Sequence, residues 1–346
     1  PVVIIPFPGR VFFVPKETHE MPYDVFGMCN ALYDIQAETP ASMLVELGVV
    51  KGSMTLIDHE QQAKMVAAVY SHLVNTEPGG SGCNTMIGIG QLGGTATYTS
   101  RVGSDEHGRM YREKMAQLGI KPNLGEEDGA TGICLVLVSP DAQRTLCTYL
   151  GLSRSLQPED VNIEDIKNSK YIYVTGYLWD TDNQKEAVLL AMREANKAGT
   201  KVSLSLSDPF CVNRHKEDFS RIVKEHVDLV FGNKDEAMAL TDTDNPLDAL
   251  RVLAEQCEIA VVTLDDKGSL IRSGDKVYEI PVFPVKAIDT TGAGDMYAAG
   301  LLYGVTHNLP LDKTGRLASY CAAQVVAKMG PRLEGIDPKA IEVVLA

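Results

Sequence analysis

From Tyr171 onward short apolar runs alternate with amphipathic ones, and this rhythm limits the possible folds more than any single motif does. "YIYVTG" (Tyr171–Gly176) reads as a strand, Gln184–Ala198 as a helix stopped by Gly199, and "KVSLSLS" (Lys201–Ser207) as a strand. Asp218–His226 reads as a helix, "VDLVFG" (Val227–Gly232) as a strand, "KDEAMAL" and "PLDALRVLAEQ" as helices, and "IAVVTL" (Ile259–Leu264) as a strand. "GSLIRSGDKVYEIPVF" follows as a β-meander, and "DKTGRLASYCAAQVVAKMG" reads as a last long helix. Repeated strand–helix–strand units bury their strands on both faces, so the expected fold is α/β: a doubly wound, mostly parallel sheet with helices on both sides. Ligands of such sheets sit at the carboxyl ends of the strands.

The first half is less regular. Tyr23–Glu38 begins as an apolar strand and ends in polar groups. "PASMLVELGV" reads as a short helix, "KGSMTLID" as a strand, and His59–Asn75 carries apolar residues at helical spacing. "EPGGSGCNT" is a Gly-rich break before the small-residue helix "MIGIGQLG". "TATYTSRVG" alternates as a strand, and Asp105–Ile120 is an amphipathic helix closed by Gly119. Residues 34–58 and a hairpin over 129–151, turning at Ser139-Pro140-Asp141, break the rhythm and predict a small β-sheet lid. Residues 23–33, 59–128 and 152–346 then form the large catalytic domain. Residues 1–22 are apolar and proline-rich without the marks of a signal peptide, and are left outside the fold argument.

Lys plus Arg number 32 and Asp plus Glu 46, a formal net charge of -14, which argues against nucleic acid or an anionic membrane as partner. It leaves phosphate ligands open, because backbone N–H groups bind phosphate without side-chain charge. Seven dispersed cysteines without a C-x-x-C pair suggest free thiols and a cytoplasmic setting. No apolar run approaches the length of a membrane span.

"GIGQLG" (Gly88–Gly93) matches G-x-G-x-x-G, but its glycines lie late in a helix with a strand after them, the reverse of a dinucleotide fingerprint; helix packing on small residues is the plainer reading. There is no G-x-x-x-x-G-K-[ST], and "GGSGC" lacks the last glycine of a nucleophile elbow. The stretch "DTTGAGD" (Asp289–Asp295) is different. It reads as a strand running to Asp289, a Gly-Ala-Gly turn, and a helix opening near Asp295. N–H groups of Gly292, Ala293, Gly294 and Asp295 at a helix N-terminus make an anion hole. A carboxylate in that hole competes with the anion unless it turns to a second ligand beside it. The loop then holds a transferring phosphoryl group, and Asp295, kept ionised by the helix end, takes the proton of the attacking hydroxyl. An ordinary N-cap on a tight turn accounts for the same residues.

"DTTGAGD" resembles the signature of the ribokinase-like (PfkB) family of carbohydrate and nucleoside kinases, and "PGGSGCNT" resembles the family's glycine-pair segment. "CNALYDI", "GYLWD", "SDPF" and "VDLVFGNKDEA" are similar to stretches of adenosine kinases, in family order from about Tyr23 to Pro331. The resemblance implies the same fold, a large doubly wound domain with a small β lid. It implies that Asp34 grips the vicinal hydroxyls of a ribose, with Asn30, Gly80, Ser81 and Asn84 completing the sugar site. It implies that Leu32, Leu146, Tyr177, Leu178 and Phe210 form an apolar slot for a nucleobase. Asn233 and Glu236 form the N-x-x-E pattern linked to Mg²⁺ through water, and a helix cap explains that pattern equally well. Asn233, Thr263 and Gly268 fall on the ATP side, Arg144 on a lid cation, and Asp289 and Thr291 on part of a K⁺-type monovalent-cation site. "TLDDKG" departs from the family's T-x-G-x-x-G by placing Asp265 at the first glycine.

The expectation is an ATP- and Mg²⁺-dependent kinase of the 5′-hydroxyl of a ribonucleoside, adenosine foremost, acting as a monomer or homodimer without nucleic-acid or membrane partners. A sugar kinase of the same fold is the nearest alternative, and a non-catalytic nucleotide-binding protein is the alternative of another class.

Overall fold

The computed structural model describes residues 3–7, 10–14, 22–141, 143–333, 335–336 and 338–346. A nine-stranded sheet runs in the order Lys276–Ile280, Ser269–Ser273, Ile259–Thr263, Leu229–Asn233, Lys201–Ser205, Ser169–Thr175, Tyr23–Met28, Ala96–Gly103 and Lys121–Glu127. The strands from Ile259–Thr263 to Lys121–Glu127 are parallel, and the two on the other edge are antiparallel.

Alternate side chains feed opposite layers, as strand geometry requires. Val25, Tyr171 and Tyr173 pack into a core with Met86, Tyr111, Leu301 and Leu317. Phe26, Ile172 and Val174 pack into the other with Met192, Ile222, Leu240 and Leu250. Each fully buried side chain of this size contributes about 1.5–3 kcal/mol. The fold is the expected doubly wound α/β architecture with a second, smaller sheet.

That smaller sheet is mixed, in the order Met54–Leu56, Arg144–Tyr149, Gly132–Val138, Leu32–Glu38 and Leu73–Gly79. Tyr23–Glu38 is therefore two strands in two different sheets, broken at Cys29–Ala31, so the chain crosses between sheets just where the main strand ends. The helix expected over His59–Asn75 stops at Ala68. A single turn intervenes, and Leu73–Gly79 pairs antiparallel with Leu32–Glu38, setting Glu77 opposite Asp34. Val74 and Thr76 favour a strand, and Pro78 cannot continue a helix but is tolerated on an edge strand.

The strand expected up to Asp289 ends at Ile280; residues 281–292 form a loop in which Pro281 and Pro284 withhold ladder N–H groups. The glycines of "GIGQLG" serve packing: an added Cβ at Gly88 would lie 2.7 Å from the Cβ of Ala299 on the helix Ala293–Thr306. Val3–Phe7 and Arg10–Val14 form a two-stranded sheet of their own. Among the described residues no helix is long and apolar enough to cross a membrane.

Candidate active site

The carboxyl ends of the parallel strands open onto two cavities. One, about 910 Å³, lies under the smaller sheet and is lined by Asn30, Leu32, Asp34, Gly80, Ser81, Asn84, Arg144, Leu146, Tyr177, Phe210, Glu236, Thr291 and Asp295 among others. The other, about 630 Å³, is lined by Asp265, Gly268, Pro284, Ala287, Ala293, Tyr297 and Ala323 among others. Asn233, Thr263 and Gly294 line both, so the cavities meet at the N-terminus of the helix Ala293–Thr306.

Gly292 caps this helix in the left-handed region (φ 77), and a Cβ on it would collide with the carbonyl oxygen of Pro331, so only glycine fits. Gly294 is a glycine for another reason: a Cβ there would meet nothing within 4 Å. Its missing side chain leaves the junction of the cavities open. Of the four N–H groups expected to point outward, that of Ala293 is turned back onto the Thr290 carbonyl at 3.2 Å, because the chain closes a tight turn before the helix starts. Ala293 therefore drops out of the expected set.

Asp295 Oδ1 accepts from the Ser81 hydroxyl at 2.6 Å, and Oδ2 from the Asn84 amide at 3.0 Å. Ser81 and Asn84, expected at a sugar, are bonded to Asp295 here. A carboxylate has roughly four acceptor positions, so two remain for a further donor. Burial pushes the Asp295 carboxyl above its usual range, against the lowering by Ser81, Asn84 and Arg332. This corrects the expectation of a helix end that keeps it a weak base: desolvation outweighs the stabilisation.

Asp34 is buried on the strand Leu32–Glu38, and burial raises its carboxyl to about 7, with Arg332 opposing and Glu77 adding to the rise. A Cβ at Gly79 would collide with this carboxylate, and one at Gly80 (φ 90) with the Asn30 carbonyl oxygen. The glycine pair therefore makes room for Asp34 and brings the backbone close to Asn30. Asn30 Oδ1 accepts from Gln184 at 2.8 Å, which fixes its amide.

Arg144, at the start of its strand, pairs through Nε with Asp289 at 2.9 Å, both side chains almost fully buried. Asp289 also accepts from the N–H of Thr291 (2.9 Å) and Gly330 (3.0 Å). The carboxylate expected at a monovalent cation thus holds a guanidinium. Asn233 and Glu236 form a full capping box at the helix Lys234–Thr241, with bonds of 2.6 and 2.9 Å. Burial raises Glu236 to about 7. Among the described residues no cluster of three His, Cys, Asp or Glu could hold a metal. Asn233 and Glu236 bond one another, so they fit a Mg²⁺ ion only through its waters and through phosphate oxygens. Asp265 adopts the left-handed conformation (φ 54) that suits glycine, and pairs with Lys234.

The larger cavity is walled by Leu32, Val136, Leu146 and Leu150, with Met54, Leu56 and Phe210 largely exposed around it. Leu178 is fully buried in the core and does not line it. Asp180, bonded to Arg214 at 2.9 and 3.1 Å, also lines the cavity. Sequence reasoning missed this pair, and also Glu77 and Arg332. Arg332 donates from Nε to Asn84 at 2.9 Å and from Nη1 to Glu77 at 3.1 Å. Nothing local marks it except the Gly-Pro before it.

Residues 47–337 match the model of the pfkB family of carbohydrate kinases. The chain belongs to this family. A probable sugar kinase of Rhizobium etli superposes with a TM-score of 0.84 at 34% identity, covering 93% of this chain and 98% of that one. An adenosine kinase of Sinorhizobium meliloti superposes with a TM-score of 0.81 at 36% identity, covering 90% and 96%. An uncharacterised sugar kinase of Archaeoglobus fulgidus is 25% identical over 261 residues, 74% of this chain and 100% of the relative. This PfkB protein is thus a phosphotransferase, a kinase of small molecules, in a family that generally uses ATP and Mg²⁺. Its relatives include sugar and nucleoside kinases alike.

Proposed function

We propose that the protein transfers the γ-phosphoryl group of ATP to the 5′-hydroxyl of a ribonucleoside, adenosine foremost. The observation that carries this reading is the pair of cavities meeting at Gly294, with Asp295 and Asp34 on the side of the larger one. That cavity combines a buried carboxylate, able to accept two vicinal hydroxyls, with a long apolar wall from Leu32 to Phe210. A free sugar needs polar groups along its whole length; a purine needs this wall. The 36% identity to an adenosine kinase supports the same reading, and the similarity to a probable sugar kinase keeps the alternative in view.

In this account ATP lies in the smaller cavity along Thr263 and Gly268. Its γ-phosphoryl group reaches the N–H groups of Gly292, Gly294 and Asp295, aided by the helix dipole. Asp34 and Asn30 hold the ribose so that its 5′-oxygen faces phosphorus. The oxygen forms the new P–O bond, the bond from phosphorus to the bridging oxygen of ADP breaks, and Asp295 takes the hydroxyl proton. The raised affinity of Asp295 for a proton suits a base better than a fully ionised cap does. Ser81 and Asn84 orient the carboxylate. Arg144, which lines the larger cavity, is the cation that offsets charge on the transferring group, and the smaller sheet is the lid that excludes water. Asn233 and Glu236 would hold Mg²⁺ through its waters, and the ion would supply charge neutralisation on the phosphates.

The test is ATP consumption against adenosine, inosine, guanosine, cytidine, ribose and fructose. Adenosine is expected to show the highest kcat/KM. Faster turnover of ribose or fructose transfers the assignment to a sugar kinase, and nucleotide binding without turnover of any acceptor contradicts it.

A further inference from the structure

The base is held by Asn84, and the orientation of Asn84 is itself determined by a third residue. Arg332 carries only donors, so the atom of Asn84 that meets its Nε at 2.9 Å must be the amide oxygen. The amide nitrogen is thereby forced to the other side, where it donates to Asp295 at 3.0 Å. The second edge of the guanidinium is fixed by Glu77 at 3.1 Å, on the strand Leu73–Gly79 of the smaller sheet. The Arg332 side chain is 9% exposed, and its remaining nitrogen, Nη2, is buried with no hydrogen-bond partner among the described residues. The result is a chain from Glu77 through Arg332 and Asn84 to Asp295, running from the smaller sheet to the head of the helix Ala293–Thr306.

We propose that Arg332 is a positioning residue for the reaction: it locks the Asn84 amide so that it donates to Asp295, and it does so only while Glu77 of the smaller sheet holds its other edge. The inference rests on Asp295 being the base. It links placement of the smaller sheet to readiness of the base without either touching the other. Were Arg332 absent, Asn84 could rotate and present its oxygen to the carboxylate, replacing a donor by a repelling dipole.

The groups with charge or a titrating proton that face Asp295 are Arg332, Asp34, Cys29, Tyr173 and Tyr177. Only Arg332 is a cation, and it lowers the proton affinity of Asp295. Losing it must move the acidic limb of kcat upward in pH, whereas Glu77→Gln, which keeps an amide oxygen for Nη1 but removes the charge that offsets the guanidinium, must move the limb downward.

The experiment measures kcat against pH, at saturating ATP and acceptor, for Arg332→Met, Arg332→Lys and Glu77→Gln, with KM for ATP and thermal midpoint recorded for each. Arg332→Met is expected to lose at least tenfold in kcat (order of magnitude from an oriented donor) and to shift the limb upward, with KM for ATP little changed. Arg332→Lys, which keeps the charge but not the fork, should keep the limb and lose part of kcat. Glu77→Gln, the milder variant, should fold and shift the limb the opposite way. A lowered thermal midpoint with the limb unmoved in both Arg332→Met and Glu77→Gln overturns the proposal. If Asp295→Asn retains turnover, it is the assignment of the base that fails; if that variant is dead and the limbs do not move, only the role of Arg332 fails.

Discussion

Arg144 and Asp289, 145 positions apart in the chain, meet at 2.9 Å and join the smaller sheet to the loop before the helix Ala293–Thr306. Breaking a buried ion pair from one side costs about 3–5 kcal/mol, because the other charge is left unpaired. On the proposal that the smaller sheet is a lid, that cost falls on its closed arrangement, since an opened sheet would let both groups hydrate. Arg144→Met is expected to lower kcat by about 10²-fold, the order seen when one transition-state donor is removed. Hydrogen exchange over Arg144–Tyr149 should accelerate while the strands of the main sheet stay protected. Unchanged exchange in the smaller sheet would show that the pair does not hold it closed.

Gly294 separates function from folding. Its backbone is helical and a Cβ there meets nothing, so Gly294→Ala should stabilise the chain, by up to about 1 kcal/mol on helix propensity. The same methyl group enters the junction of the cavities, and kcat should fall by at least tenfold (a displacement of about 1 Å at a reacting centre costs up to about 10²-fold). Thermal melting and steady-state kinetics on one preparation decide it. A variant that is both more stable and fully active removes Gly294 from the path of the phosphoryl group.

Asp34 carries a pH signature. Its carboxyl is raised to about 7, so the ionised form that accepts two hydroxyls is lost as pH falls below that value. kcat/KM for a ribonucleoside should therefore decline on the acid side of about 7, and the decline should be shallower for a 3′-deoxy acceptor and for Asp34→Asn, in which only the limb of Asp295 remains. The stability effect has its own sign. The folded value lies above the unfolded one of about 3.9, so stability from this group is full below about 4 and is lost as pH rises through about 7. Asp34→Asn should accordingly raise the thermal midpoint at pH 8 more than at pH 5. An equal change at both would contradict a buried, proton-hungry Asp34.

Asp265 stands in a backbone conformation that suits glycine and puts a carboxylate at the smaller cavity. Asp265→Gly relieves the left-handed strain, roughly 1 kcal/mol, at the expense of a solvent-screened pair with Lys234 that contributes little. Stability should change little, and KM for ATP should fall several-fold as the repulsion disappears. A higher KM for ATP would mean that Asp265 holds the nucleotide rather than opposing it.

The fold was legible where periodicity is local: strand–helix alternation after Tyr171 gave the sheet and both helical layers. It was illegible where pairing is long-range. Leu73–Gly79 looks like the tail of a helix until Leu32–Glu38 offers it a partner. The site divides the same way. The loop Gly292–Asp295 announces itself through glycines whose purpose is local. Ser81 and Asn84 could be placed in the site, but not on Asp295, because that contact spans two helices. Glu77 and Arg332 carry no pattern at all; a buried arginine is recognised only through the partners the fold assembles around it.

The direct test of the account is single-turnover phosphoryl transfer by Asp295→Asn with ATP and adenosine bound. The variant keeps the size and the bonding to Ser81 while removing the proton acceptor. The account predicts unchanged nucleotide affinity and a rate lower by about 10²–10⁴-fold, the range for a positioned general base. Near-wild-type transfer with ATP bound as tightly as before would contradict it.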